Sequence, residues 1–481
     1  MKHNAVLSDL LSQALIDLRQ DCAEKHAILI SLQKSLPRRD HKQTILSSML
    51  SRLSGANRIP NVPILRELKR SALMLYRTVI LEAAYKKVAP NWQSPSAIHS
   101  LYDEAGNDSG KITMTMNDYK RDYHHDAIPY EQAFRRAYID GLLTIGVHTY
   151  LVSSGMAGLT TILCYLQGEK FMSGPVIVGE NTYFQSKGLI LGTSGRRATL
   201  VPETDTNSIL RLIKKKKPTA IFLDSLTNSA TMTAPDLPTI LLYLARHVRH
   251  DMAFVVDNTA LSTAWQPLGT ILGKNRHIRL AVYESLNKFH EFGADRVTAG
   301  IIWAYGPGTE KLFDYRKNCG TNITDLSAHA LPVPNRKLLE ARLNRMNRNA
   351  HYLANRLEAF ITSGKAPAFA QVIYPGSPTH PSYAWTKNYR FHGCLIALRY
   401  KNEKATIKAA QSFIRRAIGE AKRQNLPLVA GTSFGFDTTR LYLTASNTDY
   451  GEPFLRIAVG IEDVELLERV ATIIEYTMKR T

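Results

Sequence analysis

Between about residues 133 and 300, short apolar runs rich in β-favouring residues alternate with helical stretches, and this alternation narrows the fold more than any other feature of the chain. The runs are Gly174-Pro-Val-Ile-Val-Gly179, Ala220-Ile-Phe-Leu223, Ala253-Phe-Val-Val256 and Leu280-Ala-Val-Tyr283. Strands of this kind separated by helices predict an α/β fold, a mostly parallel sheet covered on both faces. Open sheets of that type carry their ligand groups just past the carboxyl ends of the strands. The residues that follow each run are therefore the first place to look for a site.

From Leu7 to about Val88 the pattern is helical, with apolar residues three and four apart, as at Leu65, Leu68, Ala72, Leu75 and Val79. Pro37, Gly55, Pro60 and Pro63 divide it into separate helices. A connector rich in Ser, Asn and Asp, with Pro90, Pro95, Gly106 and Gly110, sets a boundary near residue 110. Further on come a long charged helix from Arg336 to Phe360, a strand-like run from Leu395 to Tyr400 and a helix from Asp463 to Met478. The expected organisation is a helical N-terminal extension over 1–110, a large α/β domain over 111–333 and a smaller C-terminal α+β domain over 334–481.

A chain of 481 residues, 44% hydrophobic and 21% charged, reads as globular. Its longest apolar stretches fall far short of the roughly 20 residues that cross a bilayer. Asp9, Gln13, Asp17 and Arg19 interrupt what would be a signal-peptide core, so the cytoplasm is the expected location and no membrane partner is expected. Cys22, Cys164, Cys319 and Cys394 are scattered and read as free thiols. The net charge of +20 favours anionic partners. It is dispersed, however, and its densest run, Lys214 to Lys217, precedes Pro218 at what reads as a helix end, where cations suit the dipole. A nucleic-acid patch is the competing reading, but no aromatic-interleaved basic motif accompanies the run, so nucleic acid is not an expected partner.

Three positions carry chemistry that belongs together. Asp257 follows the run Ala253–Val256, where its carboxylate could hold a protonated ring nitrogen or simply cap a turn. Lys288 follows the run Leu280–Tyr283 beside Ser285 and Asn287 and close to Phe289 and Phe292, a setting that would desolvate its amine and lower its pKa; an ordinary surface lysine is the alternative. Ser153-Ser154-Gly155-Met156-Ala157-Gly158 breaks from a strand into a helix, whose free N–H groups would receive a phosphate or serve only as a cap. An imine-forming lysine, an acid for a pyridine nitrogen and a phosphate cup are what pyridoxal phosphate (PLP) requires of a protein.

At these residues the chain resembles the Cys/Met-metabolism PLP enzymes, a family that includes cystathionine γ-synthase, the cystathionine lyases, methionine γ-lyase and the O-acyl-homoserine sulfhydrylases. The likeness covers about residues 115 to 478. Tyr119-Lys-Arg121 resembles the family's Tyr-x-Arg, which reaches the cofactor phosphate of a neighbouring subunit, and Ser154-Gly155-Met156-Ala157 resembles its phosphate turn. Tyr183 resembles the tyrosine that stacks on the cofactor ring. Asp224-Ser-Leu-Thr-Asn228 is similar to Glu-Ser-Pro-Thr-Asn, whose Asn contacts the ring hydroxyl. Val256-Asp257-Asn258-Thr259 and Ser285-x-Asn287-Lys288 resemble the tetrapeptides around the ring-nitrogen acid and the lysine. Tyr374-Pro-Gly376 with His380-Pro381 and Leu455-Arg456-Ile-Ala-Val-Gly460 continue the series, and Arg456 stands where the family grips the substrate carboxylate. Departures are Phe184-Gln185 in place of Gly-Gly, Asn287 in place of Thr, Ser229 in place of Pro, and Ser433-Phe-Gly435-Phe-Asp437 in place of Ser-Leu-Gly-Gly and a following Glu.

The resemblance implies the PLP-dependent transferase fold, fold type I and aspartate-aminotransferase-like, with PLP as cofactor and an amino acid as substrate. It implies β- or γ-elimination or γ-replacement, with Lys288 and Tyr183 catalytic and Arg456 and Ser433 at the substrate. Ser154, Gly155, Met156, Tyr183, Asn228, Asp257, Ser285, Asn287 and Lys288 would hold the cofactor, joined by Tyr119 and Arg121 from a second subunit, so a homodimer is the minimum assembly and a tetramer is implied. No metal is expected, since His124 and His125 would face opposite ways on a strand and no other ligands lie near them in sequence. The alternative, from another functional class, is a regulatory or binding module that keeps the fold and uses its basic surface.

Overall fold

The computed structural model describes residues 2–88, 124, 126–140, 146–401, 406–446 and 448–481, with residues 2–8 described by backbone alone. Tyr119, Arg121, His125 and the boundary expected near residue 110 lie outside the described residues.

Seven strands form the larger sheet: β1 (Val147–Val152), β2 (Val176–Gly179), β3 (Ala198–Val201), β4 (Ala220–Asp224), β5 (Met252–Asp257), β6 (Ile278–Ser285) and β7 (Gly300–Tyr305). Their order is β1-β7-β6-β5-β4-β2-β3. The apolar runs of the sequence are β2, β4, β5 and β6, and each pairs in parallel with its neighbour among them. All of β4 and all but the last residue of β5 are buried, because helices cover both faces, and the runs therefore do not alternate with polar residues. The exception to the parallel pattern is β7, which runs antiparallel to both β6 and β1. The register aligns Asp224 with Asp257, Asp257 with Tyr283, and Ser285 with Gly300. The carboxyl ends of β4, β5 and β6 thus meet at one edge.

The smaller sheet contains β8 (Phe369–Ile373), β9 (Leu395–Tyr400), β10 (Val429–Ala430), β11 (Arg440–Thr444) and β12 (Phe454–Ala458), ordered β10-β11-β12-β9-β8. Helices Arg336–Thr362, Ile407–Arg423 and Val464–Lys479 share its core through Leu353, Leu357, Phe413 and Ile474. Asp463 caps the last of these by accepting from Leu466 N at 3.2 Å.

The N-terminal region is three helices, α1 (Lys2–Ser35), α2 (Lys42–Ser54) and α3 (Val62–Lys87), interrupted around Pro37, Gly55 and Pro60. Asn61 caps α3 through Ile64 N at 3.0 Å. The apolar faces of α1 and α3, with Leu29, Leu65, Leu68 and Tyr76, are continuous with the core beneath the larger sheet. Charged pairs also fasten them: Arg66 forks onto Asp463 at 2.8 and 2.6 Å, and Arg348 forks onto Asp17 at 2.8 and 2.7 Å. These helices are built into the molecule.

Lys214, Lys215 and Lys216 occupy the exposed last turn of helix Thr206–Lys216, which Lys217 closes with a left-handed φ of 45°, so the run is a solvated helix end. His124 does not lie on a strand. It is buried in a turn before helix Ile128–Tyr138, 3.9 Å from Asp325. Among the described residues no helix is long and apolar enough to cross a membrane.

Candidate active site

The edge where β4, β5 and β6 end opens into a cleft of about 250 Å³. Ser154, Gly155, Met156, Tyr183, Asn228, Asp257, Ser285, Asn287, Lys288 and Arg456 all line it. Ser433 reaches it from the loop between β10 and β11, between Thr432 and Phe434 of the lining.

Lys288 sits in the turn after β6, with its amine donating to Ser433 Oγ at 2.8 Å and lying 5.6 Å from the centre of the Phe434 ring. Burial lowers its pKa to about 8, the Arg456 guanidinium acts in the same direction, and Asp295, Asp257 and Glu291 only partly oppose them. Gly435, with φ 88°, lets the Ser433 loop lie against this turn; a Cβ there would sit 2.4 Å from Lys288 O. Ser285 Oγ donates to Asn287 Oδ1, and Ser285 N donates to Thr259 Oγ1 at 3.0 Å, so the turn is tied back to the end of β5.

Asp257 and Asp224 are neighbours across β5 and β4. Thr259 N donates to Asp257 Oδ1 at 2.9 Å, and Tyr183 N donates to Asp224 Oδ2 at 2.9 Å. Burial raises the pKa of both, and for Asp224 the charge of Asp257 adds to it. Among the described residues neither carboxylate has an ion-pair partner within 4.0 Å. A protonated ring nitrogen would supply the missing cation, and on this ground the donor set fits PLP.

At the other end of the cleft, Ser154 caps helix Gly155–Gly168 by accepting from Ala157 N at 3.0 Å. The cap does not preclude an anion here, because it leaves the first-turn N–H groups of Gly155 and Met156 without intrahelical acceptors. Arg456, on β12, is buried; Nη1 donates to Asn228 Oδ1 at 3.0 Å and Nη2 to Thr432 O, while Nε has no hydrogen-bond partner. Burial lowers its pKa to about 10, so it remains charged near neutral pH. No carboxylate among the described residues pairs with it. A buried guanidinium with a vacant edge suits a carboxylate ligand. The Tyr183 hydroxyl donates to Gln185 Oε1 at 3.0 Å, and desolvation raises its pKa.

Sequence reasoning missed Asp224 as the second buried acid, Thr259 as the link between β5 and the lysine turn, and Gln185 and Phe434 as walls of the cleft. The first needed strand order, which sequence does not print; the last two stand at positions where the chain departs from the family pattern. A grouping of Asp40 and His41, in the connection between α1 and α2, with Glu82 on α3 could hold a metal ion, and Lys86 also pairs with Asp40 there.

A family model described as Cys/Met metabolism PLP-dependent enzyme matches residues 101–469. The chain is similar to the bifunctional enzyme flvA of Aspergillus flavus, 26% identical over 66% of this chain and 38% of that protein. It therefore spans well under half of that relative's length. It is also similar to cystathionine gamma-lyase of Rattus norvegicus, 25% identical over 67% of this chain and 77% of that one. The solved structure of cystathionine gamma synthase from Xanthomonas oryzae pv. oryzae, in complex with cystathionine, superposes with a TM-score of 0.59 at 20% identity, covering 76% of this chain and 89% of that one. That likeness establishes the fold, the type I fold of PLP-dependent transferases.

Proposed function

Because the chain belongs to the Cys/Met metabolism PLP-dependent enzyme family, we propose that it is a trans-sulfuration-type enzyme that catalyses β- or γ-elimination, or γ-replacement, on an amino acid. The observation that carries this reading is the Lys288 amine, buried with a pKa near 8, in one cleft with an unmatched acid pair and a guanidinium open to a carboxylate.

In this reading Ser154, Gly155 and Met156 hold the phosphate, Asp257 the ring nitrogen, Asn228 the ring hydroxyl and Tyr183 the ring face. PLP, when bound through Lys288, supplies a sink for the electron pair left on the substrate when its Cα proton departs. Arg456 orients the substrate by its carboxylate, which places the Cα–H toward Lys288. The free Lys288 amine would take the Cα proton as the general base, and a pKa near 8 leaves a usable neutral fraction at neutral pH. Ser433, already bonded to the amine, steers it. Tyr183 serves proton transfer near the leaving group. We further place the protein in the cytoplasm as a homodimer or tetramer in which Tyr119 and Arg121 complete the phosphate site of a partner subunit, a reading supported by the Tyr-x-Arg pattern.

The experiment is an absorbance spectrum of the purified protein with added PLP, beside Lys288→Ala, followed by borohydride and peptide mass spectrometry. A visible band that borohydride converts to a stable adduct on Lys288 is the expected result. Folded protein without such a band would leave the binding-module reading in its place. Release of a 2-oxo acid from cystathionine, methionine or O-acylated homoserine, with and without a thiol, then separates elimination from replacement.

A further inference from the structure

The turn that carries Lys288 continues through residues 289–299 without regular secondary structure, and Phe292 and Asp295 in it adopt left-handed backbone angles, φ 50° and 54°. Four successive carbonyls of this turn are held by side chains from α1 and α3. Tyr76 Oη donates to Glu291 O at 3.4 Å, Lys25 Nζ to Phe292 O at 2.8 Å, and Arg77 to Gly293 O at 2.8 Å and Ala294 O at 3.0 Å. Lys25 is fully buried and also pairs with Glu24 at 2.7 Å and Asp437 at 3.5 Å. Asp437 ends the Ser433 loop, where Arg342 donates to its Oδ1 at 2.6 Å and to Gly435 O at 3.0 Å. Gly293, at φ 84°, presses against this group; a Cβ would lie 2.5 Å from Asp437 Oδ1. Lys69 on α3 also lies 3.9 Å from Asp437, so the segment bearing Lys288 and the segment bearing its partner Ser433 are both tied to α1 and α3.

We propose that Lys25, Tyr76 and Arg77 are positioning residues, through which α1 and α3 fix the Lys288 turn against the Ser433 loop and keep the amine desolvated and aimed into the cleft. A turn with left-handed non-glycine residues relaxes unless its surroundings hold it. Fixing its carbonyls from one side is such a hold. The charged groups that face the amine are Arg456 from β12, Asp257 from β5, and Asp295 and Glu291 from the turn itself. Loosening the turn moves the amine relative to all four and admits water, so its pKa returns toward the ordinary value.

The inference rests on Lys288 being the reactive amine, and the test reads that amine directly. The full-length chain, dialysed free of cofactor, is labelled with an amine-reactive reagent across a pH series, and the Lys288 peptide is quantified by mass spectrometry. The midpoint expected for the unmodified chain is near 8. Arg77→Met and Lys25→Met are expected to raise it by about one pH unit or more. Leu65→Ala, which removes apolar packing of α3 and no hydrogen bond to the turn, should lower Tm and leave the midpoint unchanged. Should Lys25→Met fail to fold, Arg77→Met and Tyr76→Phe carry the test. A depressed midpoint in the unmodified chain that neither Arg77→Met nor Tyr76→Phe moves, or that Leu65→Ala moves equally, would overturn the positioning role alone. A midpoint like that of an ordinary lysine in the unmodified chain would overturn the functional reading beneath it.

Discussion

Lys288 owes its low pKa to burial first and to Arg456 second. An ordinary lysine at pH 8 is neutral in only about one molecule in 300, so the rate at which the chain captures PLP should reach half its plateau near pH 8 in a stopped-flow absorbance titration. Arg456 has a different task in the proposed function. Its planar fork already spends one edge on Asn228 and Thr432, so Arg456→Lys keeps charge and loses geometry. KM should rise about 30-fold, the equivalent of roughly 2 kcal/mol, with a smaller change in kcat, as steady-state kinetics would show. Both residues were singled out in the sequence by the company they keep, Lys288 by Ser285 and Asn287 and Arg456 by the family-like stretch Leu455 to Gly460, since either side chain alone has an ordinary surface reading. Asp224 was not, since its role comes from standing beside Asp257, and sequence does not state which strands are neighbours.

Among the elements, α1 and α3 show what periodicity can and cannot report. Of the positions Leu65, Leu68, Ala72, Leu75 and Val79, all lie on the buried face of α3 except Leu75, which is half-buried beside it. Lys25 on α1 is wholly buried, and nothing local distinguishes it from an exposed lysine; its partners Phe292, Glu24, and Asp437 come mostly from distant parts of the chain. Burial works to raise the pKa of Asp437, but Lys25, Arg342 and Lys69 outweigh it and hold the carboxyl well below its usual range. Asp437→Asn leaves those cations with one negative charge too few in a dry setting. Urea unfolding at pH 7 should show a loss of about 3–5 kcal/mol, whereas Arg70→Ala at the exposed surface of α3 should stay within about 0.5 kcal/mol. The sign with pH follows from a lowered carboxyl pKa: the stabilisation is complete above the unfolded value of 3.8 and is lost as pH falls toward the depressed folded value. The variant and the unmodified chain should therefore converge in stability under strong acid.

At the scale of the whole molecule, the apolar runs predicted the sheet and its site-bearing edge, and the antiparallel entry of β7 escaped because direction is not encoded in composition. If Arg121 serves a partner's site, Lys288→Ala and Arg121→Ala chains should complement each other. Random exchange of inactive dimers makes half of them mixed, each with one intact site of two, so about one quarter of full activity should return. Two pairs of α1 and α3 with the rest of the chain also set a schedule. Lys25 must wait for a residue 267 positions later, and Arg66 for one 397 positions later. At about 5–20 residues per second, the ribosome imposes a delay of roughly 20–80 s on the longer of these contacts. The helices leave the tunnel well before the rest of the molecule is made, with Lys25 waiting for Phe292 over the first part of that interval and Arg66 waiting for Asp463 to its end. Nascent chains of this protein should accordingly be clients of cotranslational chaperones until nearly the last helix is made, and the Lys288 amine should be among the last features of the fold to acquire its final surroundings.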